Sequence, residues 1–214
     1  MPQTPDSLLA DTRGAKPEQN RAVFLDLNGT IVLPLKQQSL DEMTSIPGAD
    51  LAITRLLGAG FLCPIVTVQA RIAKGLFTET EFRAWFADFF GNLRLDVKGP
   101  YICPHRYGDS CACQKPNSFL YEQAAADWSI DLRPSYTIGD SPQDVEAACR
   151  FGGTGCLVRT GWAGEDRFLE EARTFAAFIG DSISEAVEWV VNREQKNGEQ
   201  RQAANRSTGT RVDC

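Results

Sequence analysis

Asp26, Asn28, Thr67, Lys115, Asp140 and Asp144 are the residues of this chain whose types and spacing could do chemistry together. A carboxylate can attack phosphorus and carry the phosphoryl group as an aspartyl-phosphate. A lysine and a hydroxyl can hold the non-bridging oxygens on which charge builds in the transition state. A few carboxylates can also hold Mg²⁺, which neutralises nucleophile and phosphate together. Each piece has a plainer reading. Asp26-Leu27-Asn28-Gly29-Thr30 could be an Asx turn at a strand end, Lys115 a solvated lysine, and Gly139-Asp140 to Asp144 a helix cap. Their order at successive strand ends is what favours chemistry, because open α/β sheets bind ligands just outside the carboxyl ends of their strands.

The elements that must position these groups follow from the apolar pattern. Ala22 to Leu25, Phe61 to Thr67, Tyr136 to Ile138 and Cys156 to Val158 are short apolar runs with the length of buried strands. Helices are expected over Gly48 to Leu57, after the Thr78-x-x-Glu81 capping box, from Pro116 to about Trp128, over Val145 to Arg150, and over Ile183 to Asn192. Phe82, Trp85, Phe86, Phe89 and Phe90 recur at helical spacing and read as core. Ile31 to Ile46 reads as irregular chain beside the site, and Val68 to Leu76 as a loop or short helical turn carrying Arg71. Strands alternating with helices predict an α/β fold with a parallel central sheet covered on both faces.

The 214 residues suit one such domain, placed at 21–193 between a loose N-terminal arm (1–20) and a disordered polar tail (194–214). The formal charge of −6 argues against non-specific nucleic-acid binding. No apolar run reaches membrane-span length, and the N-terminus lacks the pattern of a signal peptide. A cytoplasmic, reducing location and a monomer without nucleic-acid or membrane partners are therefore expected. Of seven cysteines, Cys63, Cys149 and Cys156 sit in or beside apolar runs and Cys214 ends the tail. Cys103, Cys111 and Cys113 gather around the single histidine, His105. Three thiolates and one imidazole make a closed tetrahedral set for structural zinc, a likelier fate than a disulfide in a chain without an export signal.

The stretches F-L-D-L-N-G-T-I, I-V-T-V-Q-A-R-I-A-K-G, C-P-H…C-A-C-Q-K-P and I-G-D-S-P-Q-D-V together resemble the motifs of the haloacid dehalogenase superfamily. The likeness is to its zinc-containing branch of heptose-bisphosphate and histidinol-phosphate phosphatases, and it covers Arg21 to about Ala163. It implies a Rossmann-like three-layer sandwich with a minimal cap, a zinc-binding loop and Mg²⁺-dependent phosphatase chemistry on a small phosphorylated metabolite, phosphosugars included. It also implies that Asp26 is nucleophile and Mg²⁺ ligand, that the Asn28 carbonyl and Asp140 complete the metal shell, and that Asp144 orients Lys115 or a metal-bound water. Thr67 and Lys115 would bind phosphate, with Arg71 adding a positive charge.

The sequence departs from the branch where it matters. Asn28 stands where the branch has its acid/base aspartate, and Leu27, Val68 and Gln114 replace an Arg, an Asn and an Arg. General acid–base catalysis is typically worth about 10²–10⁴-fold. The sequence therefore leaves three readings open: a slow phosphatase, a catalytically impaired protein that binds phosphorylated ligands, or an Asn28 introduced to trap a bound state.

Overall fold

The computed structural model describes residues 19–36 and 38–208. Most of the expected N-terminal arm and the last six residues, Cys214 among them, lie outside that span. The chain opens with β1 (Val23–Leu25), then a small antiparallel pair, β2 (Val32–Leu33) and β3 (Thr44–Ser45), separated by a 3₁₀ turn at Leu40–Glu42. It continues through α1 (Ala49–Gly58), β4 (Pro64–Val68), α2 (Ala70–Ala73), α3 (Glu79–Leu93) and β5 (Lys98–Cys103). The second half comprises α4 (Phe119–Trp128), β6 (Tyr136–Gly139), α5 (Pro142–Phe151), β7 (Thr154–Val158), α6 (Asp166–Ala172), β8 (Ala176–Gly180) and α7 (Ile183–Thr208).

Six strands form one parallel sheet in the order β5-β4-β1-β6-β7-β8. The chain runs outward from β1 through β4 and β5, then returns to β6 on the other side of β1. This reversal places β1 at the switch point, where its carboxyl end opens into a crevice. Register is tight there: Leu25 lies beside Ile65 of β4 and Ile138 of β6, and the Asp26 N–H donates to the Ile138 carbonyl at 2.9 Å.

Alternation along β1 sends Val23 and Leu25 into one core and Ala22 and Phe24 into the other. The first core is built with Ile53 and Leu56 of α1, Phe82, Phe86 and Phe90 of α3, and Val187 and Val190 of α7. The second takes Leu120, Tyr121 and Ala124 of α4 and Ala147 of α5. This is a three-layer α/β sandwich, as the sequence pattern implies. Each large side chain taken fully from water contributes roughly 1.5–3 kcal/mol, so β1 is pinned from both faces. The aromatic stripe of α3 is core as expected, and its capping box forms, with Thr78 N donating to Glu81 Oε2 at 2.7 Å.

Three expectations need correction. The helix expected at Pro116 begins at Phe119, because the preceding residues are tied to the cysteine loop: Asn117 N donates to the Gln114 carbonyl and Asn117 Nδ2 to the Cys111 carbonyl. Ile31 to Ile46 is partly ordered as the β2–β3 pair. The polar segment after Arg193 continues α7 to Thr208, anchored at its start by Glu194, which accepts from Arg21 and from the Tyr136 hydroxyl.

Candidate active site

The strand ends converge on a cleft of about 860 Å³ whose floor carries Asp26, Thr67, Lys115, Asp140 and Asp144. Asp26 leaves β1, Thr67 lies near the end of β4, Asp140 follows β6, and Asp144 stands in the first turn of α5. Lys115 arrives from the loop between β5 and α4. It is nearly buried, and its Nζ donates to Asp26 Oδ1 and to Asp144 Oδ1, both at 2.6 Å. Asp144 serves two ends at once. Its Oδ2 accepts from the Ser141 N–H at 3.2 Å and the Ser141 hydroxyl at 2.6 Å, closing a capping box on α5, while Oδ1 holds the lysine. This one aspartate therefore caps a helix and also holds the lysine.

Asp140 is buried, and among the described residues a single neutral donor meets its carboxylate, the Trp162 N–H to Oδ2 at 2.7 Å. Gly29 and Gly161 crowd this oxygen closely enough that a Cβ at either position would overlap it, and Gly29 also holds a φ of +92° that favours glycine. Burial pushes the Asp26 carboxyl up to about 6, with the Lys115 charge opposing and Asp144 adding to the rise. Burial and the Asp26 and Asp144 charges push Asp140 well above the usual range. The carboxylates drive Lys115 upward against its own desolvation. One ammonium among three buried carboxylates leaves excess negative charge, and oxygens of Asp26, Asp140 and Asp144 lie within 4.8 Å of one another. Hard oxygen donors so gathered fit Mg²⁺.

Of the expected site residues, the structure brings Asp26, Asn28, Thr67, Arg71, Lys115, Asp140 and Asp144 to this one cleft. Arg71 is held at its rim, donating to the Leu35 carbonyl, with burial lowering its pKa. Lys36, Lys74 and Arg167 add positive charge along the walls, beside Trp162 and Phe168. A fully buried side chain without a role in the sequence reading, Gln69, joins Asn28 to Thr67: its Nε2 donates to Asn28 Oδ1 at 2.7 Å and to Thr67 Oγ1 at 3.0 Å. The available signal was its spacing, since alternate residues of an extended strand share a face.

Cys103, His105, Cys111 and Cys113 form a second cluster, beginning at the last residue of β5 and continuing in the following loop. Tetrahedral zinc with Zn–S near 2.3 Å and Zn–N near 2.0–2.1 Å requires S···S of about 3.8 Å and S···N of about 3.6 Å. Cys103 Sγ lies 3.7 Å from Cys111 Sγ and 3.7 Å from His105 Nδ1, and His105 Nδ1 lies 3.2 Å from Cys113 Sγ. The spacing and the donor set fit zinc.

The HAD-hydrolase-like family model matches residues 112–186. D-glycero-β-D-manno-heptose-1,7-bisphosphate 7-phosphatase of Haemophilus ducreyi is 37% identical over 184 residues, covering 79% of this chain and 98% of that protein. The enzyme of the same name from Escherichia coli strain K12 is 31% identical over 187 residues, covering 82% and 95%. Among solved structures, D,D-heptose 1,7-bisphosphate phosphatase from B. bronchiseptica, complexed with magnesium and phosphate, superposes with a TM-score of 0.72 at 27% identity, covering 81% of this chain and 99% of that one. With parallel sheet, strand-end carboxylates and relatives in accord, the chain belongs to the haloacid dehalogenase-like hydrolases, in the family of the heptose-bisphosphate 7-phosphatases.

Proposed function

We propose that this phosphatase-family chain is a Mg²⁺-dependent hydrolase of a small phosphosugar, working through an aspartyl-phosphate on Asp26. The observation that carries the reading is the Lys115 ammonium held between Asp26 and Asp144 on the cleft floor. It fixes the orientation of the nucleophile and places a positive charge where the phosphoryl group must arrive. Magnesium, held by Asp26, Asp140 and the Asn28 carbonyl with Asp144 behind them, would supply charge neutralisation between nucleophile and phosphate. Zinc in the cysteine–histidine loop has no open position and would brace the segment that delivers Lys115.

In the first half-reaction an Asp26 oxygen bonds to phosphorus and the ester P–O bond breaks, its electron pair leaving with the sugar oxygen, which takes a proton. In the second, water bonds to the same phosphorus and gives a proton to solvent, replacing the one the sugar oxygen took from it, while the phosphorus–Asp26 oxygen bond breaks and its electron pair returns to the carboxylate, releasing inorganic phosphate. The two protons balance over the cycle. Thr67 and Lys115 donate to the non-bridging oxygens throughout. The cations of the cleft walls, Lys36, Arg71, Lys74 and Arg167, support an anionic sugar substrate.

The test is phosphate release from a panel of mono- and bisphosphorylated sugars, heptose 1,7-bisphosphates among them, with and without Mg²⁺. Mg²⁺-dependent release supports the reading. Tight binding of the same sugars without release would replace it with a binding protein.

A further inference from the structure

We infer that Gln69 is a positioning residue that sets the hydrogen-bond polarity of the phosphoryl site, turning both Thr67 and Asn28 to offer protons to the substrate. The inference rests on the phosphatase reading above. Gln69 is fully buried one residue beyond β4, its backbone held by its N–H to the Cys103 carbonyl at 2.8 Å and by the Ile72 N–H at 3.0 Å on its own carbonyl. Its side-chain amide has two N–H groups, and both are spent on the site. One donates to Asn28 Oδ1 at 2.7 Å and the other to Thr67 Oγ1 at 3.0 Å, while Gln69 Oε1 is buried with no donor among the described residues.

The consequences follow from counting protons. The Thr67 oxygen already accepts from Gln69, and its own hydroxyl proton has no acceptor among the described residues, in a side chain that lines the cleft. That proton is free to meet a phosphoryl oxygen. Asn28, with Oδ1 held, presents Nδ2, and the contact there is the Met43 sulfur at 3.7 Å, a weak acceptor for one of two N–H groups. Residue 28 then stabilises the departing oxygen with a hydrogen bond and not with a proton. A Gln69 amide turned the other way would draw both protons inward and face the phosphate with two lone-pair oxygens, which repel an anion. The orphaned Oε1 is the cost of the arrangement, since a buried unpaired acceptor is destabilising.

The test uses the full chain with Mg²⁺ and compares Gln69→Met, which keeps length but donates nothing, with Gln69→Glu, which keeps shape but only accepts. Removing one such donor typically costs 10²–10³-fold, so losing only its aim should lower kcat on the order of 10-fold in Gln69→Met, with KM and Tm little changed. Gln69→Glu should be worse than Gln69→Met. In a Thr67→Val background Gln69→Met should cost clearly less than in the parent, because its main target is gone. Full multiplication of the two losses, or a Gln69→Glu variant more active than Gln69→Met, overturns the inference. If the parent hydrolyses no phosphosugar, the phosphatase reading fails instead. The affinity for inorganic phosphate, measured by calorimetry with Mg²⁺, then ranks the same variants: parent above Gln69→Met above Gln69→Glu supports the inference, and any other order overturns it.

Discussion

The carboxylate cluster on the cleft floor and the cysteine–histidine cluster share one loop through Lys115, yet they are held together in different ways. Asp26, Lys115 and Asp144 already attract one another, at 2.6 Å on both sides of the lysine, and each is buried or nearly so. The cysteine cluster contains no lysine or arginine. Burial pushes the Cys103 and Cys113 thiols up, so without a metal they stay protonated and little draws the loop shut. The first cluster opens into a cleft and has room for a substrate; the second is a complete four-ligand set. Lys115, two residues after Cys113, connects the two.

The comparison breaks most sharply at Asp26. Asp26→Asn removes the proposed nucleophile and a metal ligand but little volume, so phosphate release should fall on the order of 10⁴-fold or more while the fold persists. A phosphate-release assay with circular dichroism on the same sample checks both halves. Turnover near the parent's would take the nucleophile's role from Asp26. Asn28→Asp works in the other direction. A carboxylate of the same shape can protonate the leaving oxygen, and the gain should fall within roughly 10²–10⁴-fold, larger for alkyl than for activated aryl phosphates. Gln69 will hold it toward the low end, because an N–H donated to a carboxylate favours its charged form. Equal or absent gains on both ester types would mean that position 28 no longer reaches the leaving group.

The cysteine cluster should respond in stability more than in rate. About one zinc per chain is expected by elemental analysis, and Cys111→Ser should lower zinc content and Tm together, since metal binding and loop folding are coupled. Activity should fall far less than in Asp26→Asn, because Lys115 keeps both of its carboxylate partners. Protein free of zinc and indifferent to chelators would show the loop to be braced some other way.

What could be read from the sequence was whatever is encoded locally. The runs before Asp26, Thr67 and Asp140 are short, mostly apolar and closed by polar or turn residues, so strand and site appear together. β8 was missed because Ala176–Gly180 is an edge strand with a mixed burial pattern and gains its identity from pairing with β7. The continuation of α7 is not legible because polar composition alone reads as disorder; its anchors, Arg21 and Tyr136, are more than 50 residues distant. Gln69 carries no local signal of a role, because its two side-chain partners include one 41 residues away. Side-chain networks between strand ends are set by register, which no single stretch contains.

The smallest expected effect is a stability difference, and its sign follows from the raised Asp26 carboxyl. Its value moves from 3.8 in the unfolded chain to about 6 in the fold, so the folded state binds the proton more tightly. That contribution is fully present below about pH 3.8, fades as pH rises through 6, and leaves a buried charge that Lys115 only partly compensates. Asp26→Asn has no such titration. In metal-free protein the Tm of Asp26→Asn minus that of the parent should therefore grow between about pH 4 and 6.5 and then level off. The change should be a few degrees, on a scale of roughly 2–4 °C per kcal/mol for a domain of this size. Asp140, which the Asp26 charge helps to raise, is raised less in the variant, and this widens the difference in the same direction. Mg²⁺ at neutral pH should then raise the parent's Tm more than the variant's, because the ionised Asp26 is the form that would bind it. A difference that is flat across this window, measured by differential scanning fluorimetry, would show that Lys115 alone balances the charge and that the carboxylate cluster, like a closed site, needs no further cation.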